Sequence, residues 1–494
     1  MHRTATLSAL LLAATSLIHP ALAQTLAPKD AWDTLAAAVD AAGGTLTSGP
    51  IARDGDALVA PMVRLEAGEA ISLRFDEIRL EPRGAQVAII PSAQFEAVST
   101  IGMPGERRDY TITHDGAFLL SADDTRADLA LEFGRLALVK TAATRNGQAL
   151  DERLEMIHNG LTGQMGMTLG EEPFAVRIEL SVDQLQQDQH INDPMLMMEQ
   201  TAVGTTNGVR LAADLQGLRL LDITEPGALG AAFDAGLAIQ LNLENDAGTM
   251  QISQTTFGFS SMVGLAVESS DGSVSVVDGL LSSDMSLNSV TADMNFGGMP
   301  VAAAFERFAL SFGMPLVPSD EDRLSEVSLD IVDLTLSEDV LTMIGAGSFA
   351  DDAITLGLDT RLNGRLLVDL AADIDDAEMF YDISSFELPR LLIQIGAASL
   401  TGDGRFDLAE GAFEAMVMND EPPEGEGSFV FDLRGGNALL GRLAAIGLIP
   451  ADQQFMAQMM MNALGQSVGE DHLRSEVQVG PGGAVLVNGM PLPF

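Results

Sequence analysis

Hydrophobic and polar residues alternate with a period of two along most of this chain. Phe174, Val176, Ile178, Leu180 and Val182 are separated by Ala, Arg, Glu and Ser, the pattern of a strand with one face buried and the other in water. Leu237, Ile239, Leu241 and Leu243 repeat it, as do Ile71, Leu73 and Phe75. Turn-type residues fall between such runs. Asp115-Gly116 separates 110–113 from 118–120, and Asp271-Gly272 separates 263–267 from 274–277. Asn245-Asp246-Ala247-Gly248 joins Leu243 to Met250. Each predicts a hairpin, and together they predict an antiparallel meander.

The period changes at both ends. Pro28 followed by Trp32, Leu35 and Val39 on one face predicts a helix closed by Gly43-Gly44. Leu439, Leu440, Leu443 and Ile446, then Pro450 and Phe455, Met456, Met459, Met460 and Leu464, predict a helical hairpin over 436–465. A last hairpin is expected from 473–479 to 485–487 across Gly480-Pro481-Gly482-Gly483. The predicted class is mostly β: one or more large curved antiparallel sheets with an N-terminal helix and a C-terminal helical hairpin. Composition shifts divide the chain into a leader at 1–23, a helix and β-rich region at 24–160, an acidic β region at 161–318, and a β region with the helical hairpin and terminal strands at 319–494. The most linker-like stretch is the acidic, Pro-containing loop 420–426.

The leader reads as a secretory signal peptide. His2 and Arg3 precede an apolar stretch at 5–18, and Pro20 precedes Ala21-Leu22-Ala23, an A-x-A cleavage pattern that makes Gln24 the new N-terminus. About 14 apolar residues fall short of the ~20 that span a bilayer, and no later segment supplies such a run. A soluble, exported protein is expected, in the periplasm rather than the open medium. The 494 residues contain no Cys, so disulfides and thiolate chemistry are excluded. Lys and Arg number 26 against 71 Asp and Glu, a formal net charge of −45, which opposes nucleic acid and anionic lipid headgroups as partners. Charge is uneven: between 178 and 306 only Arg210 and Arg219 stand against 17 acidic residues. A solvated strand face is the favoured reading of that bias.

Catalytic patterns are sparse. His114, His158, His190 and His472 follow the leader, none at the i, i+3 or i+4 spacing of a helical zinc site. Gly258-Phe259-Ser260-Ser261 lacks the closing Gly of a nucleophile elbow. Asp373-Ile374-Asp375-Asp376-Ala377-Glu378 alternates carboxylates but lacks the Gly and distal Glu of a calcium loop. Gly204-Thr205-Thr206-Asn207-Gly208 has no phosphate-loop Lys. No catalytic, cofactor-binding or metal residue is therefore named, and no cofactor is expected. Two methionine clusters, Met195-Leu196-Met197-Met198 and Met459-Met460-Met461, suit core filling; exposure of either favours an adaptable apolar surface instead.

At the C-terminal end the stretches Gly436-Asn437-Ala438-Leu439-Leu440-Gly441-Arg442-Leu443 and Gly447-Leu448-Ile449-Pro450-Ala451-Asp452-Gln453 occur in that order. Met459-Met460, Gly469-Glu470-Asp471 and Val487-Asn488-Gly489 follow. Together they resemble the domain of unknown function 2125 family, as does Asp333-Leu334-Thr335-Leu336-Ser337, its central strand-to-helix motif. The chain departs from the family at Leu341, Gly345-Ala346 and Phe349-Ala350-Asp351-Asp352. The resemblance implies an exported, β-rich envelope protein and carries no activity or site residue. The expected role is non-enzymatic: binding an apolar ligand or scaffolding another envelope component, with lipid or an envelope protein as partner. The alternative is a periplasmic hydrolase whose site is assembled from distant residues.

Overall fold

The strands are longer than the turn signals imply, because those signals sit within strands and between end-to-end ones. The computed structural model describes residues 26–68, 70–101, 105–123, 125–169, 175–193, 197–217, 233, 236–368, 380–419, 424–481 and 483–491. The leader, Phe174, Met195 and Leu196, the carboxylates at 373–378 and most of the 420–426 loop lie outside them. The chain divides into two compact units, Met1–Asp278 and Gly279–Phe494. Position 160 falls inside the strand Asp151–Thr168.

Both units are antiparallel β structures, as the alternation predicts, but three of the four expected hairpins, those at Asp115-Gly116, Asn245–Gly248 and Asp271-Gly272, are not hairpins. Strands Glu106–His114 and Ala117–Ala122 lie end to end along Arg126–Arg145. Asp115 marks the joint, its carboxylate accepting the Arg135 N–H at 2.8 Å. Strands Ala238–Asn245 and Gly248–Thr256 lie end to end along Met198–Gln216. Asp271 and Gly272 are ladder residues opposite Glu244 and Leu243. The reversals occur elsewhere, at Asn146-Gly147, Phe257-Gly258, Gly297-Gly298 and Asn488-Gly489, where both residues take φ between 51° and 91°. That is the two-residue turn whose twist matches the flanking strands.

A long strand must keep its apolar side chains on one face, and in the N-terminal unit a column of kinks does this. In Asp151–Thr168 the buried side chains are Leu154, Met156 and His158, then Leu161; their parity flips at Gly160, whose φ is 62°. The neighbouring strand flips from Val182 to Leu185, and the next flips beside Gly208, at φ 58°. Each glycine lies under a carboxylate. A Cβ on Gly160 would stand 2.0 Å from Asp183 Oδ2, and one on Gly208 would stand 2.0 Å from Asp246 Oδ2. The face so preserved carries Leu161, Ile178, Leu180 and Val182.

The expected helices form at Pro28–Ala41, Gly436–Ala445 and Ala451–Leu464. The first buries Trp32 against Leu58, Val63, Leu80 and Val87. In the C-terminal unit, Leu439, Leu443 and Ile446 pack on Leu341, Ala346 and Phe349. The strand Arg323–Leu336 runs directly into the short helix Glu338–Met343, and the terminal hairpin pairs Val477 with Val487.

Gly160→Ala should destabilise the protein by about 1–3 kcal/mol, because a Cβ at that φ is strained and meets the Asp183 carboxylate. Thermal unfolding measures it; a melting temperature equal to that of the wild type contradicts the kink column.

Candidate functional site

In the C-terminal unit the strand registers align apolar side chains into rows that run across the sheet. Leu287 stands opposite Phe308, and Phe308 opposite Ile331. The row continues through Leu356, Ile393, Leu400, Leu433 and Leu473. A second row, one pleat away, runs through Met285, Leu310, Leu329, Leu358, Leu391, Gly402, Phe431 and Ser475. In the first row only Leu473 is buried, and Ile393 is 37 % exposed. An apolar sheet face of this kind is ordinarily covered by a second layer. Here it is left largely half-exposed.

The opposite face is charged. Arg390 bridges Asp330 at 2.7 Å and Asp359 at 2.8 Å; Arg405 pairs with Asp407 at 2.6 Å and with Glu387. Arg361 reaches Glu326 at 3.7 Å, and Arg474 reaches Asp432 at 3.3 Å. All but the Arg405–Asp407 pair join different strands and favour the observed register on the solvated side. They leave the other side to apolar contact.

Where the rows reach the helix Ala451–Leu464 they run into a groove. Leu400, Phe431, Leu433, Leu473, Val477 and Val487 form its floor, while Met461, Leu464 and Gly465 close it, around about 380 Å³. Ser475 supplies its one side-chain hydroxyl. The helix also turns Phe455, Met456, Met459 and Met460 outward, the last two each 57 % exposed. Core filling, the expectation for Met459 and Met460, is therefore corrected: only Met461 of that cluster faces the sheet. Met197 of the other cluster is exposed as well.

The two C-terminal helices are fixed by polar contacts of Asp471, Arg442 and Asn488. Asp471 accepts the N–H groups of Asn437 and Ala438, both at 3.0 Å, at the start of Gly436–Ala445. Burial pushes its pKa up, but these bonds outweigh that and hold the carboxyl below its ordinary value. Arg442 donates to Ser348 O at 2.7 Å, pairs with Asp352 and lies 4.2 Å over the Phe349 ring. The Asn488 amide donates to Leu464 O at 2.8 Å and its carbonyl accepts the Glu476 N–H. Sequence reasoning saw these residues as a pattern without their roles, since each partner lies far away in the chain.

The four histidines stay apart. His114 turns both ring nitrogens to backbone carbonyls, Gly116 O at 3.1 Å and Ser92 O at 3.0 Å. His472 Nε2 faces Asp432 at 2.9 Å on the charged side of the sheet, and His190 is half-buried opposite Thr201. His158 is buried, its Nδ1 without a hydrogen-bond partner, and burial drives its pKa down to about 4. Ser260 and Ser261 lie in a strand, bonded to Thr255 and Gln254 rather than poised on an elbow. Gly204–Gly208 is strand backbone. A largely buried charge cluster in the middle of the N-terminal unit is internally paired: Glu106 with Arg108 and Arg145, Glu152 with Lys140 and Arg108. Beside it, burial raises Tyr110 to about 12. Two wider concavities, of about 650 and 760 Å³, have mixed polar and apolar walls without an imidazole. Among the described residues no group of three or more His, Asp or Glu is placed to hold a metal.

His158 gives a pH signature. Its folded pKa lies below the ordinary 6.5, so the unfolded chain binds a proton that the folded one refuses. Its contribution is complete above pH 6.5 and is lost as pH falls toward 4, by about 3 kcal/mol. The stability difference between wild type and His158→Gln should therefore narrow over that window in denaturant titrations; parallel pH profiles contradict it.

Compared with known protein families, curated proteins and solved structures, the chain matches none, and its functional reading rests on its own geometry.

Proposed function

We propose that this chain is a non-enzymatic envelope protein of the periplasm that binds an acyl chain on the apolar face of its C-terminal unit. The observation that carries the reading is the half-exposed row from Leu287 to Leu473. Eight strands at about 4.8 Å spacing make it roughly 34 Å long. One acyl chain spans about half of a ~30 Å hydrocarbon core, so the row offers ample length. Apolar walls with a single hydroxyl suit a ligand that needs desolvation and little hydrogen bonding. Met461, which helps close the groove, adapts to chains of differing shape. The leader sequence supports the compartment.

Native mass spectrometry of the protein purified from the periplasm should show a retained lipid. Ile393→Glu puts a charge into the row at an already exposed position. It should weaken the binding of a fluorescent fatty acid by about tenfold or more, because the acyl chain then meets a carboxylate that must be desolvated where it met an aliphatic side chain. The melting temperature should change little. Unchanged affinity in that variant, or a wild type that takes up no fatty acid, contradicts the reading.

A further inference from the structure

The hairpin formed by Gly248–Thr256 and Phe259–Val267 turns through Phe257 and Gly258. Its first turn position has φ 51°, where Asn, Asp or Gly relieves the strain that a bulky side chain incurs. Phe there gains nothing in return from packing, because it is 67 % exposed. Phe259 beside it is 79 % exposed. Met197 is 64 % exposed and also left-handed, at φ 47°, and its carbonyl accepts the Phe257 N–H at 3.2 Å. Three large apolar side chains thus share one end of the sheet, two of them at a backbone cost. Strain retained without a folding benefit points to use outside the fold.

We infer that this tip inserts into the surface of an uncharged, zwitterionic lipid bilayer. Three side chains offer on the order of 400 Å², about half of what each side of a stable protein interface buries. A fluid bilayer needs no matching surface and accepts a narrow aromatic tip. Self-association through the tip would bring together two chains of net charge −45, which repel. The surrounding sequence is itself short of cations, and Arg210 is taken by Glu244 and Asp246, so anionic headgroups are disfavoured. The tip belongs to the N-terminal unit and is independent of the acyl-binding row.

The test is flotation of the full chain with vesicles of phosphatidylcholine, alone or mixed with phosphatidylglycerol. The wild type should float with the first and less with the second. Phe257→Asn combined with Phe259→Ser should reduce flotation about tenfold or more, the factor that burying one Phe is worth. Phe257→Asn alone should hold or raise the melting temperature, since Asn fits the turn. A wild type that stays with the unbound fraction, as a protein-docking tip would, overturns the inference, as does a double variant that floats equally well. Fatty-acid binding measured on the same double variant should be unchanged, so a failure here is distinguishable from a failure of the acyl-binding row.

Discussion

The constraint on which the structure depends is that each strand must hold its apolar side chains on one face over its whole length. A one-residue slip moves every side chain to the wrong side. In the N-terminal unit the strands meet this demand by flipping parity together at Gly160, Asp183 and Gly208, with a carboxylate laid over each glycine. In the C-terminal unit the registers align so closely that the Leu287–Leu473 row crosses eight strands without a polar interruption. The kinks and the row are two consequences of one requirement.

The units differ in what they do with the resulting face. In the N-terminal unit it is buried as far as Val182 and Ala213, under the Pro28–Ala41 helix at one end and in the Leu161 and Tyr110 clusters beyond, while Leu243 farther along is exposed. In the C-terminal unit two helices cover only part of it, and Arg442, Asp471 and Asn488 pin those helices down. Charged side chains keep the other side of the sheet hydrated. What remains exposed is available for binding.

Fold class was legible because period-two alternation is local and strong, and the terminal helices because their spacing breaks it. Turn positions were less so. Asp115-Gly116 and Asn245–Gly248 have turn chemistry but serve as joints between end-to-end strands, a distinction that depends on pairing with distant residues. The reversal at Phe257-Gly258 carries the opposite signal, since Phe is a poor residue for that conformation. The candidate site was visible strand by strand as apolar positions. The row itself was hidden, because register between strands is set by non-local contacts.

The most direct test of the account is photo-crosslinking of a diazirine-bearing fatty acid to the full chain, with adducts mapped by mass spectrometry. The account predicts adducts on Phe308, Ile393, Leu400 and the Met461 end of the groove. Adducts concentrated on the charged face, around Arg390 and Arg405, or spread without preference, would contradict it.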